Sequence, residues 1–403
     1  MTASAQHSML PPLTAEERSH SEHLAAHIRA QLLAAGGWLS FEQFMELTLY
    51  APGLGYYSAG SVKLGADGDF ITAPEASDLY SRCIARQCAA VLAHTGGEIL
   101  ELGAGSARMA VAVLNELAAL RVLPERYAIL EVSADLAARQ RERVASLPRP
   151  LRERVVWLER LPERPLRGVM LANEVADALP CRRFRCEAGG LVELGVGLED
   201  HGNEPAAASQ IHFREQAVAA DAGLRSAEAE ILDSLAEPLA PGYTSELCPR
   251  VTPWIAALSA CLARGLLLLC DYGLPRRHYY HPQRTSGTLR CHFRHRVHDD
   301  PYINVGVQDI TAWVDFTRAA DAALAAGLEV SGFATQAAFL LGLGIERLVH
   351  EAGEVSEHAR LAGEARRLMM PEEMGEAIKM MALTRELATP LEGFALQDLG
   401  HLL

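Results

Sequence analysis

The sequence predicts an α/β fold: a doubly wound, mostly parallel sheet, with a helical segment before it and an insertion between two of its strands. Three observations predict it. Between residues 98 and 173 the short apolar runs "EILEL", "YAILEV", "RVVWL" and "GVMLAN" alternate with amphipathic stretches over 106–120 and 134–146. Parallel strands need crossovers of this kind, and the helices cover both faces of the sheet they build. "GLLLLCDYG" (265–273) is an unbroken apolar run of strand length, as a strand buried on both faces requires. "ELGAGSARM" (101–109) sets Gly103 and Gly105 between a strand and a helix, where a chain turns tightly against a ligand.

The elements follow in order. Residues 22–36 have a helical pattern that Gly36-Gly37 stops. "SFEQFMELTLYAPGLGYY" (40–57) opens with Ser40 as N-cap and repeats apolar residues at 41, 44, 45 and 49, one face of a helix. Pro52, Gly53 and Gly55 end it, and a glycine-rich loop (60–69) leads to a helix over 74–96 that closes at Gly96-Gly97. The alternating strands and helices come next, the first of those helices stopping before Pro124. "CEAGGLVELGVGLED" (186–200) suggests a hairpin, and 204–240, rich in Ala, Glu and Pro, reads as an insertion. After the strand at 265–273 come a helix over 311–326, a strand "EVSGFAT" (329–335) and a charged, mostly helical stretch from 345. This divides the chain into an N-terminal helical and loop region that contributes to the active site (1–96), a sheet domain (97–185 and 246–345), an insertion subdomain (186–245) and a C-terminal helical region (346–403).

Composition narrows the function. The 403 residues, about half of them hydrophobic, suffice for one large domain or two smaller ones. A formal net charge of −14 repels phosphates, and the Arg-rich stretch at 149–167 is interrupted by Glu, so no nucleic-acid partner is expected. No apolar run has the roughly 18–20 residues of a membrane span, so no membrane insertion is expected. The N-terminus lacks a charged start followed by an apolar core and carries Glu16 and Glu17, against a secretory signal or a transit peptide; the expected location is cytoplasmic. The eight cysteines include no C-x-x-C pair, so neither a zinc ribbon nor a disulfide framework is expected. "CHFRHRVH" (291–298) spaces His292, His295 and His298 like a metal tract, but Arg294 and Arg296 are poor neighbours for a cation; it reads as a mobile, positively charged lid, and no metal is expected.

The glycine turn selects a ligand class. The dinucleotide fingerprint G-x-G-x-x-G would need a third glycine at 108, where Arg108 stands. Glu101-Leu102-Gly103-Ala104-Gly105-Ser106-Ala107 resembles instead the E/D-x-G-x-G-x-G turn of class I S-adenosylmethionine methyltransferases, with Ala107 in the last glycine position. Bare backbone approaches the ligand, the helix start supplies free N–H groups, and a carboxylate suits a ligand bearing an ammonium and a sulfonium. Glu131, ending "YAILEV", stands where an acid accepts hydrogen bonds from ribose hydroxyls, with Val132 beside it. "LANEVADALP" (171–180) leaves an apolar strand and presents Asn173, Glu174 and Asp177 at its carboxyl end, where open α/β sheets bind their ligands.

"FEQFMELTLYAPGLGYYS", "GDFITAPEAS", "ILELGAGS", "ILEVSADLAARQRER", "ANEVADALP", "CDYG", "GTLRC" and "QDITAWVDF" occur in this order over residues 25–345 and resemble the MidA family of class I methyltransferases. The resemblance implies a Rossmann-like methyltransferase fold, S-adenosyl-L-methionine as cofactor, and a protein substrate. The expected cofactor residues are Glu101, Gly103, Ala104, Gly105, Glu131, Val132 and Asn173. The family includes a mitochondrial enzyme that dimethylates an arginine on a core subunit of respiratory complex I. The expected function is therefore protein arginine N-methylation of such a subunit or a related protein, by a monomer or a homodimer. Arginine stays protonated in solution, so paired carboxylates should grip its planar fork and draw the charge away from the attacking nitrogen. Glu75 with Glu174 is the expected pair, Asn173 or Asp177 supporting it and Asp69 a further candidate. Two alternatives stand beside this: an S-adenosylmethionine-binding assembly factor without turnover, and an NAD-linked oxidoreductase on the same scaffold.

Overall fold

The computed structural model describes residues 10–59, 72–199 and 211–403. The expected loop at 60–69, with Asp69, lies outside them. The chain forms two compact units. One is residues 71–177, 251–275 and 314–403; the other is 1–70, 178–250 and 276–313.

The first unit is built on one sheet, whose strands we number in chain order: β1 (Glu98–Leu102), β2 (Tyr127–Leu130), β3 (Val155–Leu158), β4 (Leu166–Asn173), β5 (Leu262–Leu274), β6 (Glu329–Thr335) and β7 (Ile378–Arg385). Their order across the sheet is β6-β7-β5-β4-β1-β2-β3, all parallel except β7, which runs antiparallel to both neighbours. A two-residue strand, Val314–Asp315, adds in parallel beside the end of β5. From β1 the chain builds outward one way through β2 and β3, then returns to place β4 and β5 on the other side. The switch point lies between β1 and β4, the place where open α/β sheets bind their ligands, beyond the carboxyl ends of the strands. The expected mostly parallel, doubly wound sheet is therefore present. Its core is apolar: Ile99, Val169, Leu266 and Leu268 are fully buried, and helices Asp78–Thr95 and Arg108–Ala119 join the same core through Val91, Val113, Leu114 and Leu117.

Two expectations for this unit are corrected. The helix read over 74–96 is two pieces, Ala73–Ala76 and Asp78–Thr95. Ser77 between them is extended (φ −163°), and its hydroxyl accepts from Leu79 N at 3.0 Å, so it caps the second piece. The C-terminal stretch read as mostly helical holds helix Val355–Met369 but also β7, which sits inside the sheet. "IKMMALTR" is buried on both faces, so it lacks the alternation that marks a half-exposed strand.

The second unit is antiparallel. Strand Gly190–Leu198 pairs with Phe213–Ala219 on one edge, and with Arg182–Glu187 and then Leu39–Ser40 on the other; Thr244–Leu247 extends the sheet beyond Arg182–Glu187. The expected hairpin at 186–200 is the Arg182–Glu187/Gly190–Leu198 pair. It does not stand alone as an insertion. Leu39 pairs with Val196, and Phe44 packs on Phe213 and Tyr302 at ring distances of 5.6 and 5.7 Å, so the N-terminal helices, the hairpin and residues 276–313 share one core. That division differs from the one read along the sequence, because it depends on pairings between distant segments. "CHFRHRVH" forms a β-hairpin, Arg290–Phe293 with Arg296–His298. Burial and the nearby His298 and Arg290 push His292 down to about 4, so its ring is neutral at pH 7 and adds no charge to the expected positive lid. Among the described residues no group of three or more His, Cys, Asp or Glu has the geometry to hold a metal ion.

Helix Phe41–Tyr50 starts at Ser40 as expected: Ser40 Oγ accepts from Gln43 N at 3.2 Å, and Gln43 Oε1 accepts from Ser40 N at 3.1 Å. Ser40→Ala should cost about 0.5–2 kcal/mol in urea unfolding, the usual range for losing such a cap, and an unchanged midpoint would show that the cap does not matter.

Candidate functional site

The site is assembled at the carboxyl ends of β1, β2, β4 and β5. After β1, Gly103 and Gly105 adopt left-handed backbone (φ 61° and 53°), and so does Ala107 (φ 61°) immediately before helix Arg108–Ala119. The residue in the last glycine position differs from the motif, yet the conformation glycine favours is kept, at a strain of roughly 1–2 kcal/mol for an alanine. A Cβ on Gly103 would meet nothing closer than Val175 Cγ2 at 3.5 Å, so the space over the turn is open. Ala104 is buried, and its carbonyl accepts from Ala107 N at 2.7 Å to close the turn. Glu101 lies under the turn, 2% exposed, with its Oε2 accepting from Tyr127 Oη at 2.7 Å. Burial pushes its carboxyl up to about 7; the Tyr127 hydrogen bond holds it down and the charge of Glu131 adds to the rise.

At the end of β2, Glu131 Oε1 accepts from Ser133 N at 2.9 Å and Oε2 from Gln140 Nε2 at 2.8 Å. Val132 next to it is 78% exposed, an apolar side chain presented to solvent beside an acid. An open glycine turn, a fixed carboxylate and an apolar platform are what an adenosine-bearing, cationic ligand requires, and these residues fit S-adenosyl-L-methionine.

The ends of β4 and β5 meet in register, Asn173 opposite Cys270. Glu174 is left-handed (φ 51°), and its N–H donates to Cys270 O at 2.8 Å. Asp271, fully buried, holds the turn that follows: its Oδ2 accepts from the backbone N–H of Val175, Ala176 and Asp177 at 3.1, 2.8 and 3.3 Å, and its Oδ1 from Tyr272 N at 2.8 Å. Burial and the Glu174 charge push the Asp271 carboxyl up, and the backbone N–H groups pull it back. Asn173 Oδ1 accepts from the buried Tyr80 hydroxyl at 2.5 Å, and its Nδ2 donates to Glu174 Oε1 at 3.2 Å. Burial first, then the charges of Glu174, Asp177 and Asp271, push the Tyr272 hydroxyl up, so it stays a neutral donor beside these acids.

The expected pair is only partly brought together. Helix Ala73–Ala76 offers its first N–H, Ala73 N, to Glu174 Oε1 at 3.2 Å. Glu75, on the same short helix, accepts instead from Ser106 Oγ of the glycine turn, while Arg108 Nη1 donates to the Glu75 carbonyl at 2.6 Å and Arg108 Nε to Asp78 at 2.9 Å. Each carboxylate is thus held by a different element. Asp177 is buried; its backbone N–H donates to Asp271 Oδ2, and its charge acts on the Tyr272 hydroxyl. Sequence reasoning missed Asp271, Tyr80, Tyr127 and Gln140. Asp271 was legible by the rule that found Glu101 and Glu131, an acid closing an apolar strand; the two tyrosines and the glutamine have no local signal.

Comparison with known proteins bears on this geometry. A family model described as "Putative S-adenosyl-L-methionine-dependent methyltransferase" matches residues 83–334, more than half of the chain. A crystal structure from Burkholderia thailandensis with bound S-adenosyl-homocysteine is similar at 38% identity and a TM-score of 0.90, over 98% of this chain and 100% of that one. The chain is also similar to the mouse protein arginine methyltransferase NDUFAF7, mitochondrial (29% identity, 86% of this chain and 81% of the relative), and to its Drosophila melanogaster homologue (27%, 93% and 87%).

Proposed function

The chain belongs to that family of S-adenosyl-L-methionine-dependent methyltransferases, and from this premise we propose that it methylates an arginine side chain of a protein, a core subunit of respiratory complex I being the first substrate to test. The observation that carries the reading is the Asn173–Glu174 pair, fixed at the end of β4 beside the open turn at Gly103. Relatives named protein arginine methyltransferases at 25–29% identity support the acceptor. The oxidoreductase alternative gives way to the family; an assembly factor without turnover is an outcome of the test below.

When bound, the cofactor supplies an electrophilic methyl group on a cationic sulfur. The chain's residues do the rest. Gly103 and Gly105 let the backbone approach, Glu131 accepts from ribose hydroxyls, and Val132 offers an apolar face. Glu174, oriented by Asn173 and Ala73 N, takes two N–H groups of a guanidinium and draws its charge away from the attacking nitrogen. Alignment contributes through the Asp271-held turn, which fixes the left-handed backbone at Glu174.

Lysate from a strain lacking the protein, incubated with the purified chain and methyl-labelled S-adenosyl-L-methionine, should yield one labelled protein whose hydrolysate contains methylarginine. Label on another residue overturns the arginine reading, and cofactor binding without any labelled product supports the assembly-factor reading. For the cofactor side, Glu131→Ala should weaken S-adenosyl-homocysteine binding by about 1–3 kcal/mol, the range for hydrogen bonds to a charged group. An unchanged affinity in calorimetry would place the ribose elsewhere.

A further inference from the structure

Gln140 is fully buried on helix Ala134–Val144, and its amide is used on every side. Its Nε2 donates to Glu131 Oε2 at 2.8 Å and to Gly105 O at 3.0 Å, and its Oε1 accepts from Trp157 Nε1 at 2.9 Å. The orientation is dictated by chemistry: an indole N–H only donates, so it must face the amide oxygen and leave the NH2 group for two acceptors. Trp157, on β3, is itself covered by the Arg141 guanidinium 4.9 Å over its ring. One buried amide therefore ties the end of β2, the glycine turn and β3 together. With Ser133 N on the other oxygen, it clamps the Glu131 carboxylate from both sides.

We infer that Gln140, fixed by Trp157, is a positioning residue that orients Glu131 for a ribose and so gives the site its preference for ribonucleoside over 2′-deoxyribonucleoside ligands. This rests on the reading of Glu131 as the ribose acid of an S-adenosyl-L-methionine site. The leverage comes from burial: no water replaces a lost partner there, so a changed donor must be met by rotation of Glu131 or displacement of the Gly105 carbonyl.

The test is calorimetry with S-adenosyl-homocysteine and its 2′-deoxy analogue, at pH 8 and pH 5.5. The parent should prefer the ribo form by about tenfold or more, a difference of about 1.4 kcal/mol per factor of ten. Gln140→Glu sets a carboxylate against Glu131; its affinity should fall by about tenfold at pH 8 and return to within about threefold of the parent at pH 5.5, where the two facing acids share a proton. The parent, measured at both values, accounts for Glu101, the other acid that senses the Glu131 charge. Trp157→Phe keeps a ring under Arg141 but removes the N–H that fixes the amide, and should narrow the ribo preference to about threefold or less. A parent that binds, with both variants matching its affinity and preference and differing only in unfolding midpoint, overturns this inference alone. A parent that fails to bind S-adenosyl-homocysteine overturns the cofactor reading with it.

Discussion

Gly103→Val is expected to weaken S-adenosyl-homocysteine binding by about a hundredfold or more while the protein stays folded. The turn leaves room for protein atoms, since a Cβ at Gly103 would make only an ordinary contact with Val175. On the proposed reading of this turn as the cofactor site, a branched side chain there takes the place of the ligand's methionine end. Backbone strain adds to the effect, because Gly103 is left-handed and valine is poor there. The two contributions are separable. Gly103→Ala carries most of the strain and little of the bulk; it should cost roughly 1–2 kcal/mol of stability and leave weakened but measurable binding. The valine variant should lose about a hundredfold or more in affinity, equivalent to about 2.7 kcal/mol. Thermal unfolding of both variants, with and without S-adenosyl-homocysteine, reads the two effects together. A valine variant stabilised by the ligand as much as the parent would move the cofactor away from this turn.

What could be read along the chain was what depends on neighbours a few residues apart. The Ser40 cap, the strand at "EVSGFAT" and the glycine turn each rest on a local pattern, and each is where the pattern put it. The left-handed Ala107 shows how far a motif can be trusted: the turn geometry survives a residue change at its third glycine position. The failures share a different cause. β7 is hidden because "IKMMALTR", interrupted by Lys379, Thr384 and Arg385, shows neither the alternation of a half-exposed strand nor the unbroken apolar run that marked β5, and its place between β5 and β6 is decided by long-range pairing. Tyr127 under Glu101, Tyr80 on Asn173 and Gln140 on Glu131 come from other elements, 26, 93 and 9 residues away, so no spacing rule points to them. Acids at strand ends are legible; the groups that aim them are not.

The two acids proposed to hold the acceptor are separated by a second pair of variants. Glu174 sits on a strained, left-handed residue whose position is set by Asp271 through the following turn and whose carboxyl is aimed by Asn173 and Ala73 N. Strain maintained by such a network is characteristic of a functional position. Glu174→Gln keeps the volume and the hydrogen-bond acceptor but removes the charge that, on the proposed arginine reading, offsets a guanidinium. Because that term acts on the reacting group and not on the cofactor, kcat for the labelled protein should fall by about 10²–10⁴ while S-adenosyl-homocysteine affinity stays within about threefold. Glu75 is held differently. Its carboxylate rests on Ser106 and its carbonyl on Arg108, both at the glycine turn. Glu75→Gln should therefore act mainly on cofactor affinity, weakening it by up to about tenfold, and change kcat little. If Glu75→Gln instead lowers kcat as far as Glu174→Gln with cofactor affinity intact, the two acids form the guanidinium clamp that "APEAS" and "ANEVADALP" suggested, and the Ser106 contact gives way when substrate binds. If Glu174→Gln turns over at the parent rate, Glu174 is a structural acid and the acceptor is held by other groups of the cluster, Asp177 and Tyr272 first among them.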